Sequence, residues 1–254
     1  MSEHYPEVSL FHSEARVLAS SIVDTEYDIS VGLPPSYLDS DKTYPVLYLL
    51  DGNICFGMAT DTVTALTFGQ EVPELIVVGI GYHITSYADW GSNRTRDYTA
   101  TAREDAPGSG GAAQFLAFVE TELIPFIDAN YRTDPEDRAI SGYSHGGQFV
   151  LYALLSRPGL FNRYACGSPS IYWDDRAMFR REEAFSQNQS QLPVKLFISV
   201  GSLESFEPDV RDFVEALKSR NYKGLDLTTV VLEDETHLSC LAPAFVRGVR
   251  AIYS

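Results

Sequence analysis

Apolar and polar positions along the 254-residue chain fall into blocks of changing period. Residues 14–20 and 25–33 alternate only in part, and Pro34-Pro35 stops the second run, which predicts antiparallel strands at one edge of a sheet. Residues 45–50 and 75–80 are continuous apolar runs rich in β-branched side chains, the pattern of parallel strands buried on both faces. A helix is predicted between them, over 56–70. The stretch 82–110, with Gly91, Pro107 and Gly108-Ser109-Gly110-Gly111, predicts a long loop near the site, because loops of that length in a compact domain are usually functional or mobile. From about 112 to 130, Phe115, Phe118, Val119, Leu123, Phe126 and Ile127 recur at helical spacing and read as a core-facing stripe. A short strand at 138–140 and an apolar helix at 148–156 follow, then a strand at 163–167 and a helix at 175–186. The chain closes with a strand at 194–200, a helix at 207–220, a strand at 227–232 and a helix from about 240 to 252.

Strands alternating with helices imply an α/β fold: a mostly parallel central sheet with antiparallel N-terminal edge strands and helices on both faces. The length fits one domain over 1–254, and a hydrophobic content of 44% supplies its core. In such sheets the site lies at the carboxyl ends of the strands. Gly52-Asn53, Ser144, Glu204 and His237 each fall just beyond a predicted strand.

A formal net charge of −16 argues against nucleic acid as a partner, since phosphate binding needs a basic stripe, and against anionic membrane surfaces. The first residues, Met1 to Pro6, lack a basic region followed by an apolar run, so no signal peptide is expected, and no stretch of 18 apolar residues is present. Cys55, Cys166 and Cys240 are odd in number and widely spaced, which suits reduced thiols in a cytoplasmic protein. Asp174 and Asp175 have no histidine at ligand spacing, so no metal is assigned.

The chemistry concentrates at Gly142-Tyr143-Ser144-His145-Gly146-Gly147, a G-x-S-x-G pattern between a strand and a helix. That context is the nucleophile elbow of serine hydrolases, in which glycines let a strained turn pass close to its neighbours. A serine hydroxyl needs a base, and the base needs an acceptor that fixes its tautomer. The order serine, acid, histidine is met by Ser144, Glu204 and His237. His4 and His12 precede the sheet, His83 has the wrong chain order for the base, and His145 points away from its neighbour Ser144. Glu207, Asp209 and Asp234 compete with Glu204 for the acid, and a Ser-His pair acting alone stays an alternative. For an oxyanion hole, the N–H of His145 and that of Asn53, or alternatively Gly52, are the candidate donors.

Two further segments have double readings. Asn93 to Thr99 is a local basic cluster in an acidic chain; Arg94 and Arg96 form either a clamp for an anionic part of a substrate or a structural network through Asp97. Tyr172 and Trp173 form either an apolar wall of the cleft or part of the core.

Taken in order, Leu49 to Asn53, Asn93 to Thr99, Glu122 to Ile127, the elbow and Gly201-Ser202-Leu203-Glu204 resemble the putative-esterase family of α/β-hydrolases, over about residues 15 to 250. The Arg-Asp-Tyr-Thr element and the Glu-Leu-Ile-Pro-Phe run resemble its siderophore-esterase-like branch, close to esterase D and the ferric-siderophore trilactone esterases. The resemblance implies an α/β-hydrolase domain and a cofactor-free serine carboxylic-ester hydrolase acting on a small-molecule ester. Ser144 is then the nucleophile, His237 the base and Glu204 the acid, although Thr236 stands where the family commonly has glycine. An acyltransferase using the same nucleophile, and a hydrolase-fold binding protein without chemistry, are the alternatives.

Overall fold

The structure is a computed structural model and describes residues 9–84 and 86–254. The N-terminal segment 1–8, with His4, and Thr85 within the 82–110 stretch lie outside the described residues. Eight strands form one sheet among the described residues: β1 (Ser13–Ser20), β2 (Thr25–Gly32), β3 (Tyr44–Leu49), β4 (Ile76–Tyr82), β5 (Thr133–Tyr143), β6 (Arg163–Gly167), β7 (Lys195–Gly201) and β8 (Asp226–Leu232). Their order is β1-β2-β4-β3-β5-β6-β7-β8. The pairs β1–β2 and β2–β4 are antiparallel, and every other neighbouring pair is parallel.

The continuous apolar runs become central strands because each of their faces meets a different layer. Val46 and Tyr48 enter one core with Ile76, Val78, Ile80, Ile140, Leu196 and Ile198. Leu47, Leu49, Val77, Ala139 and Phe197 enter the other. The second core is closed by α1 (Gly52–Phe68) and by the C-terminal helix Leu241–Tyr253. The first is closed by the helices between β4 and β8, through side chains such as Tyr98, Phe115, Phe149, Met178 and Phe213. Each such large apolar side chain contributes about 1.5–3 kcal/mol by leaving water.

The structure departs from the sequence reading in several places. Helix α1 begins at Gly52, four residues before the predicted start, directly after β3. The stretch 82–110 is not all loop: α2 spans Tyr87–Tyr98, with the Ser86 hydroxyl accepting from the Asp89 N–H at its start. Its sequence is polar, and it is fastened to the fold by the Arg94–Asp51 ion pair, the Tyr27–Asp97 hydrogen bond and the buried Tyr98 rather than by a continuous apolar stripe.

The predicted 112–130 helix is α3 (Ala112–Phe118), a wide π turn (Val119–Leu123) and α4 (Ile124–Asn130) in succession. Pro125 has no N–H to donate to the preceding turn, which accounts for the widening. Helices α5 (His145–Ser156), α6 (Trp173–Asn188), α7 (Glu207–Arg220) and α8 (Leu241–Tyr253) complete the fold. Helix α6 opens with Asp174, Asp175 and Arg176 in the left-handed region, at φ 49°, 49° and 58°. Each such residue costs on the order of 1 kcal/mol.

Because β3, β5, β6, β7 and β8 are consecutive parallel neighbours, the segments that follow them emerge along one rim. That rim brings together residues as distant in sequence as Ser144 and His237, 93 positions apart.

Candidate active site

Ser144 joins β5 to α5 with φ 60° and ψ −119°. Such a conformation costs about 1–3 kcal/mol in a residue with a side chain and persists only where its surroundings hold it. Here the Ser144 N–H donates to the Gly167 carbonyl at 2.9 Å, and its own carbonyl accepts from the N–H groups of Gln148 (3.0 Å) and Ser170 (3.1 Å). The glycines around it are required by contact. A methyl on Gly142 would overlap the Gly146 carbonyl, and one on Gly147 would lie 2.8 Å from the Gly167 carbonyl oxygen.

His237 follows β8, and its ring lies between two partners. Nε2 is 3.0 Å from Ser144 Oγ, and Nδ1 is 2.6 Å from Glu204 Oε2. The other carboxylate oxygen of Glu204 accepts from the Ser168 hydroxyl at 2.6 Å and from the Gly201 N–H at 2.7 Å. Burial raises the proton affinity of Glu204, but the hydrogen bonds from His237, Ser168 and Gly201 outweigh it, so its pKa is lowered and it is ionised at neutral pH. An ionised acceptor at Nδ1 puts the imidazole proton there and leaves Nε2 free to accept. Two of the competing acids go elsewhere: Glu207 pairs with Arg211 and Asp209 with Arg176. Among the described residues, Glu204 is the carboxylate hydrogen-bonded to His237.

The His145 and Asn53 N–H groups belong to the first turns of α5 and α1, where no intrahelical acceptor exists and the helix dipole is positive. Gly52 lies beside Asn53 under tight packing: a Cβ there would be 2.8 Å from the Gly79 backbone. The Asn53 side chain fastens α1 to the end of β4, accepting from the Tyr82 N–H at 2.7 Å and donating to the Tyr82 carbonyl at 3.0 Å. The His145 ring stands edge-on to Trp173, with centroids 5.1 Å apart. Burial, and then the Arg94 charge, lower its pKa. His83 is exposed and sits 3.0 Å from Asp28 of β2.

The arginine cluster takes its structural reading. Arg94 is only 12% exposed and bonds Asp51 in bidentate fashion, Nε to Oδ1 at 3.0 Å and Nη2 to Oδ2 at 2.9 Å. Arg96 bonds the fully buried Asp97 at 2.6 and 3.0 Å. Each guanidinium is thus paired with a carboxylate within the fold, the arrangement that the structural reading of the cluster describes. The two aromatic candidates divide. Tyr172 is 44% exposed, whereas Trp173 is 8% exposed and donates its indole N–H to the Thr101 carbonyl at 3.3 Å.

Four residues that the sequence reading did not assign also meet the site. Phe206 stands edge-on to the His237 ring at 5.4 Å and packs against Tyr172 at 5.1 Å. Tyr143 donates its hydroxyl to the His237 carbonyl at 2.6 Å and lies 3.0 Å from Ser168 Oγ. Ser170 Oγ is 3.3 Å from Ser144 Oγ. The available signal was Ser168-Pro169-Ser170, a polar pair just past the end of a buried strand. Among the described residues, no group of three or more His, Cys, Asp or Glu is arranged to hold a metal ion, and no helix is long and apolar enough to cross a membrane.

An open, mostly parallel sheet with a serine, an imidazole and a carboxylate in hydrogen-bonded sequence on its rim defines the class: a serine esterase with an α/β-hydrolase-like fold. The sequence model of the family described as "Putative esterase" matches residues 20–228, and the chain belongs to that family, in its siderophore-esterase branch. It is 30% identical over 258 residues to the ferri-bacillibactin esterase BesA of Bacillus subtilis (strain 168), covering 94% of this chain and 88% of that protein. It is 32% identical over 215 residues to the siderophore enterobactin esterase of Emericella nidulans, covering 76% of this chain and 70% of the relative. The crystal structure of the BES protein from Bacillus cereus superposes with a TM-score of 0.88 at 29% identity, covering 100% of this chain and 99% of that one.

Proposed function

We propose that the chain cleaves carboxylic esters through an acyl-enzyme on Ser144, and that its substrates are siderophore-type lactones or related small esters. One observation carries the mechanism: a single imidazole, that of His237, is bonded to Ser144 Oγ at 3.0 Å and to Glu204 at 2.6 Å. In this reading Ser144 Oγ attacks the ester carbonyl as its proton passes to His237 Nε2, and Glu204 stabilises the imidazolium. The tetrahedral oxyanion is received by the N–H of His145 and that of Asn53, with Gly52 as the alternative donor. The imidazolium then protonates the departing alcohol. Water, deprotonated by the same ring, releases the acid and restores the Ser144 hydroxyl. No cofactor takes part. Tyr172 and Phe206 supply an aromatic wall beside the reacting centre.

The substrate class rests on the relatives, whose names identify them as esterases of ferri-bacillibactin and enterobactin siderophores. A cytoplasmic site of action belongs to the same proposal, since Cys55, Cys166 and Cys240 are buried free thiols of the kind that compartment keeps reduced.

Two measurements test it. A fluorophosphonate probe labels Ser144 in the wild type and fails to label Ser144→Ala; absence of label in the wild type removes the mechanism. In kinetic comparison, a ferric trilactone is turned over faster than a simple aryl acetate; equal or better turnover of the aryl ester removes the siderophore assignment. Product analysis with an added alcohol separates hydrolysis from acyl transfer.

A further inference from the structure

The Ser144 hydroxyl has a second neighbour besides the imidazole. Ser170 is fully buried, and its Oγ lies 3.3 Å from Ser144 Oγ. Its position is fixed by the main chain, which fastens this segment to the elbow. The Ser170 N–H donates to the Ser144 carbonyl at 3.1 Å, and the Ser170 carbonyl accepts from the Trp173 N–H at 3.2 Å. On the other side of the elbow, the Ser144 N–H bonds Gly167 at 2.9 Å.

Counting protons settles the direction of the contact. Glu204 occupies the Nδ1 proton of His237, so Nε2 is an acceptor and takes the one hydrogen of Ser144. Ser144 Oγ then has only lone pairs to offer Ser170. The remaining donor is the Ser170 hydroxyl, and Ser144 Oγ is its one hydrogen-bond partner among the described residues.

We infer that Ser170 is a further catalytic residue, donating a hydrogen bond to Ser144 Oγ that strengthens as that oxygen gains or regains negative charge. The inference rests on the acyl-enzyme reading above. In acylation the Ser144 O–H bond breaks as its proton passes to His237 Nε2, the Oγ–acyl carbon bond forms, and the ester C–O bond breaks with the departing alcohol taking that proton from His237. Ser170 keeps its own proton throughout. In deacylation water adds to the acyl carbon as its proton passes to His237 Nε2, the Oγ–acyl bond breaks, and the same hydroxyl steadies the departing oxygen until His237 delivers that proton to it. An ester oxygen and a neutral hydroxyl are weak acceptors, whereas an oxygen with alkoxide character is a strong one. The contact therefore acts on the transition states more than on bound substrate, and its loss falls on kcat rather than KM.

The test compares Ser170→Ala and Ser170→Cys with wild type on a neutral aryl ester, with the rate of fluorophosphonate labelling and the thermal midpoint measured alongside. Ser170→Cys keeps the packing volume but donates poorly. The expected result is a kcat lower by roughly ten- to thirtyfold in either variant, a KM within twofold of wild type, and a matching fall in the labelling rate constant. A kcat and labelling rate within twofold of wild type in either folded variant overturn the inference, as does a change confined to KM. Should the alanine variant not fold, the cysteine variant decides alone. Failure of the wild type itself to label at Ser144 would instead remove the acyl-enzyme reading, so the two failures are distinguishable.

Discussion

The Tyr143 hydroxyl bonds the main-chain carbonyl of His237 at 2.6 Å, so the residue before the elbow serine holds the loop that delivers the imidazole. The two rings also lie side by side, with centroids 5.2 Å apart. Ser168 extends the connection, lying 3.0 Å from the Tyr143 hydroxyl and donating to Glu204. The four strand ends that meet at the site, those of β5, β6, β7 and β8, are thereby tied to one another through side chains as well as through the sheet.

Tyr143→Phe keeps the ring and leaves the His237 carbonyl without its donor. The loss of one such bond is worth about 1 kcal/mol, and kcat is expected to fall roughly three- to tenfold with a small drop in Tm. Steady-state kinetics and a thermal melt check it. An unchanged kcat would show that the loop holds its geometry without the hydroxyl.

Glu204→Gln replaces an ionised acceptor by an amide and frees the tautomer of His237. In the serine-protease triad the equivalent change costs about 10⁴ in kcat, and a fall of about 10² to 10⁴ is expected here. The measurement is kcat on an aryl ester at pH 7. A loss under threefold would mean that Ser144 and His237 work as a pair.

Arg94→Ala strands the Asp51 carboxylate, which lies buried beside the start of α1. Removing one partner of a buried pair costs about 3–5 kcal/mol, and urea unfolding should register a loss of that order. KM values for neutral and anionic esters should shift together. A rise in KM confined to the anionic ester would restore the clamp reading of this arginine.

His145 provides a pH dependence whose sign is fixed by its environment. Burial, and secondarily the Arg94 charge, lower its pKa in the folded state. The unfolded chain therefore takes up this proton first as pH falls, and stability rises with pH between the two values. The contribution is complete above the ordinary histidine pKa of about 6.5 and is lost below it, toward the depressed folded value. Thermal melts from about pH 8 to 5 should show a decline on the acid side that is shallower in His145→Gln. Equal slopes in the two proteins would remove His145 as its source.

The sequence alone determined what depends on near neighbours. Continuous apolar runs specify strands covered on both faces, and the β3 and β4 side chains do enter two separate cores. The elbow was legible because its glycines answer contacts made within the turn or immediately beside it, such as Gly142 against Gly146. Helix α2 was not legible: its residues are polar, and it is held by pairs such as Arg94–Asp51, 43 residues apart, which no local period encodes. The same holds for the direction of the two arginines, and for Ser170 and Phe206 beside the reacting groups.

Tertiary structure alone decided which of several nearby carboxylates meets His237. Glu204 is 33 residues from it and Ser144 is 93, and both distances are closed by the order of the strands in the sheet. Periodicity reports which face of an element is buried. Hydrogen-bond partners across strand ends depend on strand order and register, which are properties of the assembled sheet.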